Sequence, residues 1–201
     1  MALTPTTKLQ AINTMLSTIG CSPISSLSGY NSSDTALAIQ ILDEINLSVQ
    51  SEGWHWNTEE DVELVPDPSS GEIVVSPNAL MVDVDGINRG NFEVVLRGNK
   101  LYDKKNKTTV FENTIKATVI YGLDWEEIPQ AARGYIMIRA ARTFGDRMVG
   151  SEKHHGFTLR DEVFALTKLR EYDGETADRT IFDNYSTYRI IDRNYPEDFT
   201  G

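Results

Sequence analysis

The chain has 201 residues, 40% apolar and 24% charged. That suits one large domain, or a compact domain with a sub-domain, burying roughly 70% of its unfolded surface. A formal charge of −11 argues against tight nucleic-acid binding, whose affinity comes mainly from neutralising phosphates, but it leaves room for passing contact with DNA.

Cys21 is the only cysteine, so an intrachain disulfide is impossible and assembly in a reducing cytosol is expected. The opening MALTPTTKLQ lacks the blocks of a signal peptide. No apolar run approaches the roughly 20 residues that span a bilayer, so a soluble protein without a membrane partner is expected.

The segment TPTTKLQAINTMLSTIGCSP reads as a first helix. Thr4 is its expected N-cap, Pro5 its first residue, Leu9, Ile12, Leu16 and Ile19 its apolar stripe, and Gly20 its end. SSDTALAIQILDEINLSVQSEGW reads as a second helix capped by Ser32 or Ser33. It buries Ala38, Ile41, Leu42, Ile45 and Val49 and ends at Gly53.

From Trp54 to Tyr121 the apolar period falls to two. Short β-branched runs (DVELVP, GEIVVSP, LMVDV, NFEVVLR, KLYD, TTVFE, IKATVIYG) are punctuated by Gly, Pro and Asn. VVLRGNKLYD predicts a hairpin turning at Gly98-Asn99, and DKKNKT predicts a second turn. Helical spacing returns after Pro129. QAARGYIMIRAARTFGDRMVG places Met137, Ala141, Phe144 and Met148 on one stripe, and TLRDEVFALTKLREY turns Leu159, Val163 and Leu166 inward.

Strands segregated from helices predict an α+β fold. The expected form is a four-helix bundle built from the N- and C-terminal helix pairs, residues 1–53 and 129–172. An antiparallel β sub-domain (54–128) is inserted, and an extended C-terminal arm (173–201) follows. Trp54 and Trp56 fall where the second helix meets the first strand. Two apart on a strand, they share a face and can cover the seam between bundle and β sub-domain. A carbohydrate platform is the competing use of the pair.

The chemical motifs are sparse. His154 and His155 in EKHHG lack zinc spacing and read as an inter-helix loop. DVDGIN places its glycine too early for a calcium loop and has no acid at the twelfth position. No phosphate-binding glycine loop and no G-x-S-x-G elbow is present. No cofactor and no metal are expected. The one enzymatic alternative is glycoside hydrolysis, which needs two carboxyl groups roughly 5–9.5 Å apart. Glu59 and Asp61, sharing a strand face about 6.6 Å apart at Cα level, are its candidate pair. Glu126 and Glu127 beside Trp125 are a second.

VQSEGWHWNTEEDVELVPD, RGNKLYDKKNKT and above all YIMIRAARTFGDRMVGS resemble the tail tubular protein A family, the head-to-tail adaptors or gatekeepers of short-tailed bacteriophages. The likeness covers nearly the whole chain and is weakest in the β block and the tail; it supplies no catalytic residue. It implies a dodecameric ring beneath the capsid portal, above a nozzle of tail tubular protein B, around the channel through which DNA leaves. It also implies a virion tail location after assembly in the bacterial cytoplasm. In the family the helical part packs against neighbours, the β part faces the nozzle, and the C-terminal arm reaches adjacent chains or the portal.

Three features of the residues agree. An acidic lumen lets DNA slide where a basic one would hold it. The tail carries spaced aromatics (Phe182, Tyr185, Tyr188, Tyr195, Phe199) that suit grooves of another surface. Arg133, Arg139, Arg142 and Arg147 make a basic face on the third helix, fit for pairing carboxylates across an interface. Each feature has a plainer reading: acidity for solubility, a tail strapped over its own chain, and arginines paired with Asp43, Glu44 or Glu52 of the second helix. A glycan-binding tail module is the remaining alternative to the structural role.

Overall fold

The computed structural model describes residues 4–29, 32–84, 92–150 and 152–177. Among them are four α-helices, α1 (Lys8–Thr18), α2 (Ser33–Gln50), α3 (Gln130–Val149) and α4 (Glu152–Thr176). Five strands lie between α2 and α3: β1 (Thr58–Leu64), β2 (Ala79–Val84), β3 (Val94–Arg97), β4 (Lys100–Asp103) and β5 (Ile115–Tyr121).

α1 starts later than its sequence predicts. The cap is Thr7, whose hydroxyl accepts the Gln10 N–H while the Gln10 side chain accepts the Thr7 N–H, a reciprocal capping box. Thr4 and Pro5 are not helical because the next residue is held elsewhere. The Thr6 N–H donates to Gln130 Oε1 at 2.7 Å, and its carbonyl accepts from Trp125 and Arg133. α2 is capped by Ser32, which accepts the Asp34 N–H, and it buries the expected stripe Ala38, Ile41, Leu42, Ile45 and Val49. α3 ends at Gly150, whose φ of 64° suits glycine at a helix terminus.

The mixed α+β composition stands, but the expected four-helix bundle of two pairs is not formed. α3 is the central helix, and α1, α2 and α4 each pack on it. α4 rests on α3 and on the turn that follows α2, and a groove separates it from α1. The cause is the face that α4 buries. Ala165 and Leu169 point inward, whereas Leu159 and Val163, expected inside, are 44% and 58% exposed. With apolar residues on several sides, α4 has no single stripe able to bridge two helices. Met148 of the expected α3 stripe is also exposed; the side chains α3 buries include Ala132, Tyr135, Ile136, Ala140, Ala141 and Phe144. His154 and His155 lie within α4, not in an inter-helix loop.

The strands make two antiparallel sheets, one in the order β1-β5-β2 and one formed by the β3–β4 hairpin. The hairpin turns at Gly98-Asn99 as expected, with Arg97 opposite Lys100 and Gly98 at φ 65°. GEIVVSP and TTVFE contribute isolated bridges (Glu72 to Val110, Val74 to Lys100, Asp103 to Thr108), not strands. Val62 pairs with Ala117, but the β1–β5 register slips between Glu59 and Val62, where Asp61 adopts φ 56°. The sheets enclose a core of Ile73, Val82, Leu101, Phe111, Ile115 and Val119 and their neighbours, separate from the helical core.

A carboxylate secures the turn after β4. Asp103 is buried and accepts main-chain N–H groups of Glu93, Lys105 and Asn106, and the Asn106 side chain at 2.6 Å. Burial alone would raise its pKa, yet these donors outweigh burial and hold it below the ordinary value. A depressed folded pKa contributes stability that is present above the unfolded value near ~4 and lost as pH falls through the folded one. Urea unfolding is expected to show falling stability below about pH 4. Asp103→Asn should flatten that dependence, and an unchanged slope would refute the assignment.

Gly53, after α2, has φ 74°, and a Cβ there would sit 2.6 Å from Ile120 Cδ1. Gly53→Ala is expected to cost about 1–2 kcal/mol from the left-handed backbone, with a further loss if Ile120 cannot turn aside. Urea midpoints at constant slope measure it.

Candidate functional site

Two side-chain amides build the junction between helices and sheet. His55–Asn57 form a 3₁₀ turn between α2 and β1, so Trp54 and Trp56 are not aligned by strand alternation, as their spacing suggests. Both pack against the helical core, Trp54 buried within it and Trp56 at its margin. The Trp54 indole donates to the Val49 carbonyl at 2.8 Å, adding to the Glu52 N–H that this carbonyl of the last α2 turn also accepts. The Trp56 indole nitrogen is buried and has no hydrogen-bond partner among the described residues.

Asn57, 3% exposed, accepts the Trp54 N–H through Oδ1 and donates through Nδ2 to the carbonyls of Gln50 and Tyr121 at 2.9 and 2.8 Å. Gln50, 2% exposed, accepts the Leu123 N–H at 2.7 Å and donates to the Leu123 carbonyl and to Asn46 Oδ1, each at 3.0 Å. The end of α2, the 3₁₀ turn and the chain leaving β5 are thereby tied at one buried point. Sequence reasoning missed both residues. Their only signal is an amide at a helix end and another beside two tryptophans, and a solvent-facing glutamine or asparagine would look the same.

The arginines of α3 go to different places. Arg133 is 8% exposed, and its guanidinium donates to the carbonyls of Ile128, Thr6 and Glu126. Arg139 donates to Glu52, in the turn after α2, and to the Tyr135 hydroxyl, both at 3.4 Å, and lies 3.9 Å from Glu162 of α4. Arg142 binds Glu162 and, at 3.1 Å, Asp146. The Glu162 hydrogen bond raises its already high pKa, so the guanidinium stays charged. Arg147 reaches both carboxylate oxygens of Glu44 at 3.3 Å, with its side chain 47% exposed. The partners anticipated on α2 are used by Arg139 and Arg147; Glu162, which holds α4 to α3, was not anticipated. Burial raises the Tyr135 hydroxyl pKa against the opposing pull of Arg139.

Glu59 and Asp61 are both exposed on β1, and the register slip between them breaks the alternation that would put them on one face. Trp125 is buried with its indole donating to Thr6, and Glu127 accepts the Asp124 N–H, so this second acidic pair belongs to the turn that starts α3. Phe182, Tyr185, Tyr188, Tyr195 and Phe199 lie outside the described residues, as does most of DVDGIN. Among the described residues no cluster of three or more His, Cys, Asp or Glu could hold a metal, and no helix is long and apolar enough to cross a membrane.

What the described surface does offer is apolar area on α4. Besides Leu159 and Val163, Phe164 is 61% exposed and borders a groove of about 290 Å³ with Thr14 and Thr18 of α1 and Ile138 and Ala141 of α3.

Asn57→Leu removes the Asn57 amide from the Trp54 N–H and the Tyr121 carbonyl in a buried joint and leaves the Gln50 carbonyl with the Gly53 N–H. A loss of about 2–4 kcal/mol is expected by urea unfolding. A loss below about 1 kcal/mol would mean that the joint does not depend on this amide.

The polar side chains of the junction and of α3 hold the fold together, and Leu159, Val163 and Phe164 of α4 stay exposed. A comparison with curated proteins gives no match. The family profile of the Tail tubular protein matches residues 9–179, which takes in every helix and strand described here except Lys8. The chain therefore belongs to the tail tubular protein family, the structural proteins of phage tails.

Proposed function

We propose that this chain is a ring-forming head-to-tail adaptor. It joins the capsid portal to the tail nozzle as a dodecamer and encloses the path of the ejected DNA. The observation that carries the reading, beside family membership, is α4: a 25-residue helix with one buried face and three large apolar side chains open to solvent. Exposed apolar area on a long helix is what an assembly interface needs before its partner arrives.

The roles divide along the chain. The helical residues, 1–53 and 129–172, pack against neighbouring copies, with Arg147 on that side the most exposed of the paired α3 arginines. Residues 54–128 face the nozzle, and 173–201 act as an arm toward adjacent chains or the portal. A net charge of −11 supports a channel wall that repels DNA and lets it slide.

Mixing the chain with purified portal and imaging the product by electron microscopy is expected to give rings of twelvefold symmetry. Val163→Glu, at a position 58% exposed, should change stability by no more than about 0.5 kcal/mol and yet suppress incorporation. A portal that stays bare with the unaltered chain, or virions lacking this polypeptide at the collar, overturns the reading. Normal incorporation of the variant would instead remove α4 from the interface.

A further inference from the structure

Two of the helices packed on α3 leave outward faces of opposite charge. α2 carries Asp34, Asp43 and Glu44 and no lysine or arginine. At about 100° per residue, Leu47 lies opposite Ala38, Leu42, Ile45 and Val49 of the buried stripe, and it is 53% exposed. Asp43 and Glu44 sit one turn before it. They pair with Lys8 and Arg147, yet their side chains remain 51% and 52% exposed. Ser48 and Ser51, also exposed beside the leucine, are short enough to let another helix come close.

On α4 the face turned away from Ala165 and Leu169 holds the exposed Leu159, Val163 and Phe164. Between Leu159 and Arg170 the charged residues on that face are all basic: Arg160, Lys168 and Arg170. Glu162 turns instead to Arg142, and Asp161 borders the groove toward α1. None of the three basic residues pairs with a carboxylate among the described residues. The Lys168 ammonium lies 4.5 Å from the centre of the Phe164 ring. In a chain of net charge −11, an apolar strip bordered by unpaired cations is a surface of its own kind.

We propose that α4 of one copy packs along the outward face of α2 of the next, with Leu47 among Leu159, Val163 and Phe164. Arg160 and Arg170 then reach Asp43 and Glu44. This pairing rests on the ring reading and identifies the two surfaces that meet. Charge selects it: α4 against α4 would set cation against cation, and α2 against α2 would set acid against acid. A ring of more than two copies also needs two unlike surfaces, because its contact passes from each copy to the next. α2 and α4 both bury their inner faces on α3, so their outward faces turn to different sides of the chain and both can be engaged at once.

The test uses the full chain carrying Cys21→Ser, with folding checked by circular dichroism, assembled on purified portal. One protein then carries Leu47→Cys, and three others carry Leu159→Cys, Val163→Cys or Thr167→Cys, exposed positions that span about two turns of α4. Rings mixed from the Leu47→Cys protein and the α4 variants, under mild oxidation, are expected to give disulfide-linked dimers with at least one of the three. Rings of any single variant should give none, because like faces do not meet. Separately, Asp43→Lys with Glu44→Lys should lower ring formation roughly tenfold or more. Adding Arg160→Glu and Arg170→Glu to the same chain should restore it, which a loss of the ties to Lys8 and Arg147 alone would not allow. Rings that form without a mixed dimer, dimers between like positions in equal yield, or a charge reversal that is not rescued would each overturn the pairing and leave the ring reading standing. A portal that stays bare with the unaltered chain removes the ring reading, and the pairing with it.

Discussion

A buried amide must find every one of its hydrogen-bond partners, and this requirement fixes how the helices meet the sheet. Gln50 and Asn57 are both at least 97% buried and together engage five main-chain groups: two of Leu123, and one each of Trp54, Gln50 and Tyr121. Apolar contact alone is non-directional and tolerates sliding. Amide hydrogen bonds in a dry joint do not, because a displaced donor or acceptor loses its partner without regaining water. Trp54 adds bulk on the helical side and closes the last turn of α2 with its indole. The aromatic pair that stands out in the sequence is the filling of this joint, and the two plain amides set its angle.

The attachment of α4 follows a different logic. Among its described side chains Ala165 and Leu169 are buried and Leu166 is partly so, and its strongest polar tie is Glu162 to Arg142, supported by Arg139. Its C-terminal end adds the Asp173 carboxylate, which accepts the His55 N–H at 2.8 Å. Partly exposed ion pairs of this kind contribute about 1 kcal/mol or less each. Alongside these ties, Leu159, Val163 and Phe164 of α4 stay exposed to other surfaces.

The parts of the fold legible in the sequence are those where one strong local pattern decided the outcome. The α2 stripe from Ala38 to Val49 has helical spacing and one apolar side, and it is buried as read. The Gly98-Asn99 turn lies between two β-branched runs and closes the hairpin as read. Where two patterns competed, the reading failed. Thr4-Pro5 and Thr7-Gln10 both look like helix starts, and only the contact of Thr6 with Gln130, 124 residues away, selects the second. In α4, Leu159, Val163 and Leu166 make a plausible stripe; Leu166 packs on the helical core as read, but Leu159 and Val163 are exposed and Ala165 and Leu169 take the buried positions. At the joint, nothing local distinguishes Asn57 from an exposed asparagine. Its role exists only once Gln50 and Tyr121 are beside it.

Association is steered by what the sheet refuses as much as by what α4 offers. β1 is an edge strand of the larger sheet, and an open edge is a template for pairing with another chain. Here the edge carries exposed Glu59, Glu60, Asp61 and Glu63, and the register slip at Asp61 bends the strand out of the straight path another strand would need. Two copies meeting edge to edge would align these like charges at strand spacing, which repels them. The exposed apolar flanks of α4 carry no such block. In the ring proposed above, the acidic, slipped β1 edge disfavours strand pairing between copies, and contacts through the helices are the ones that repeat around the axis.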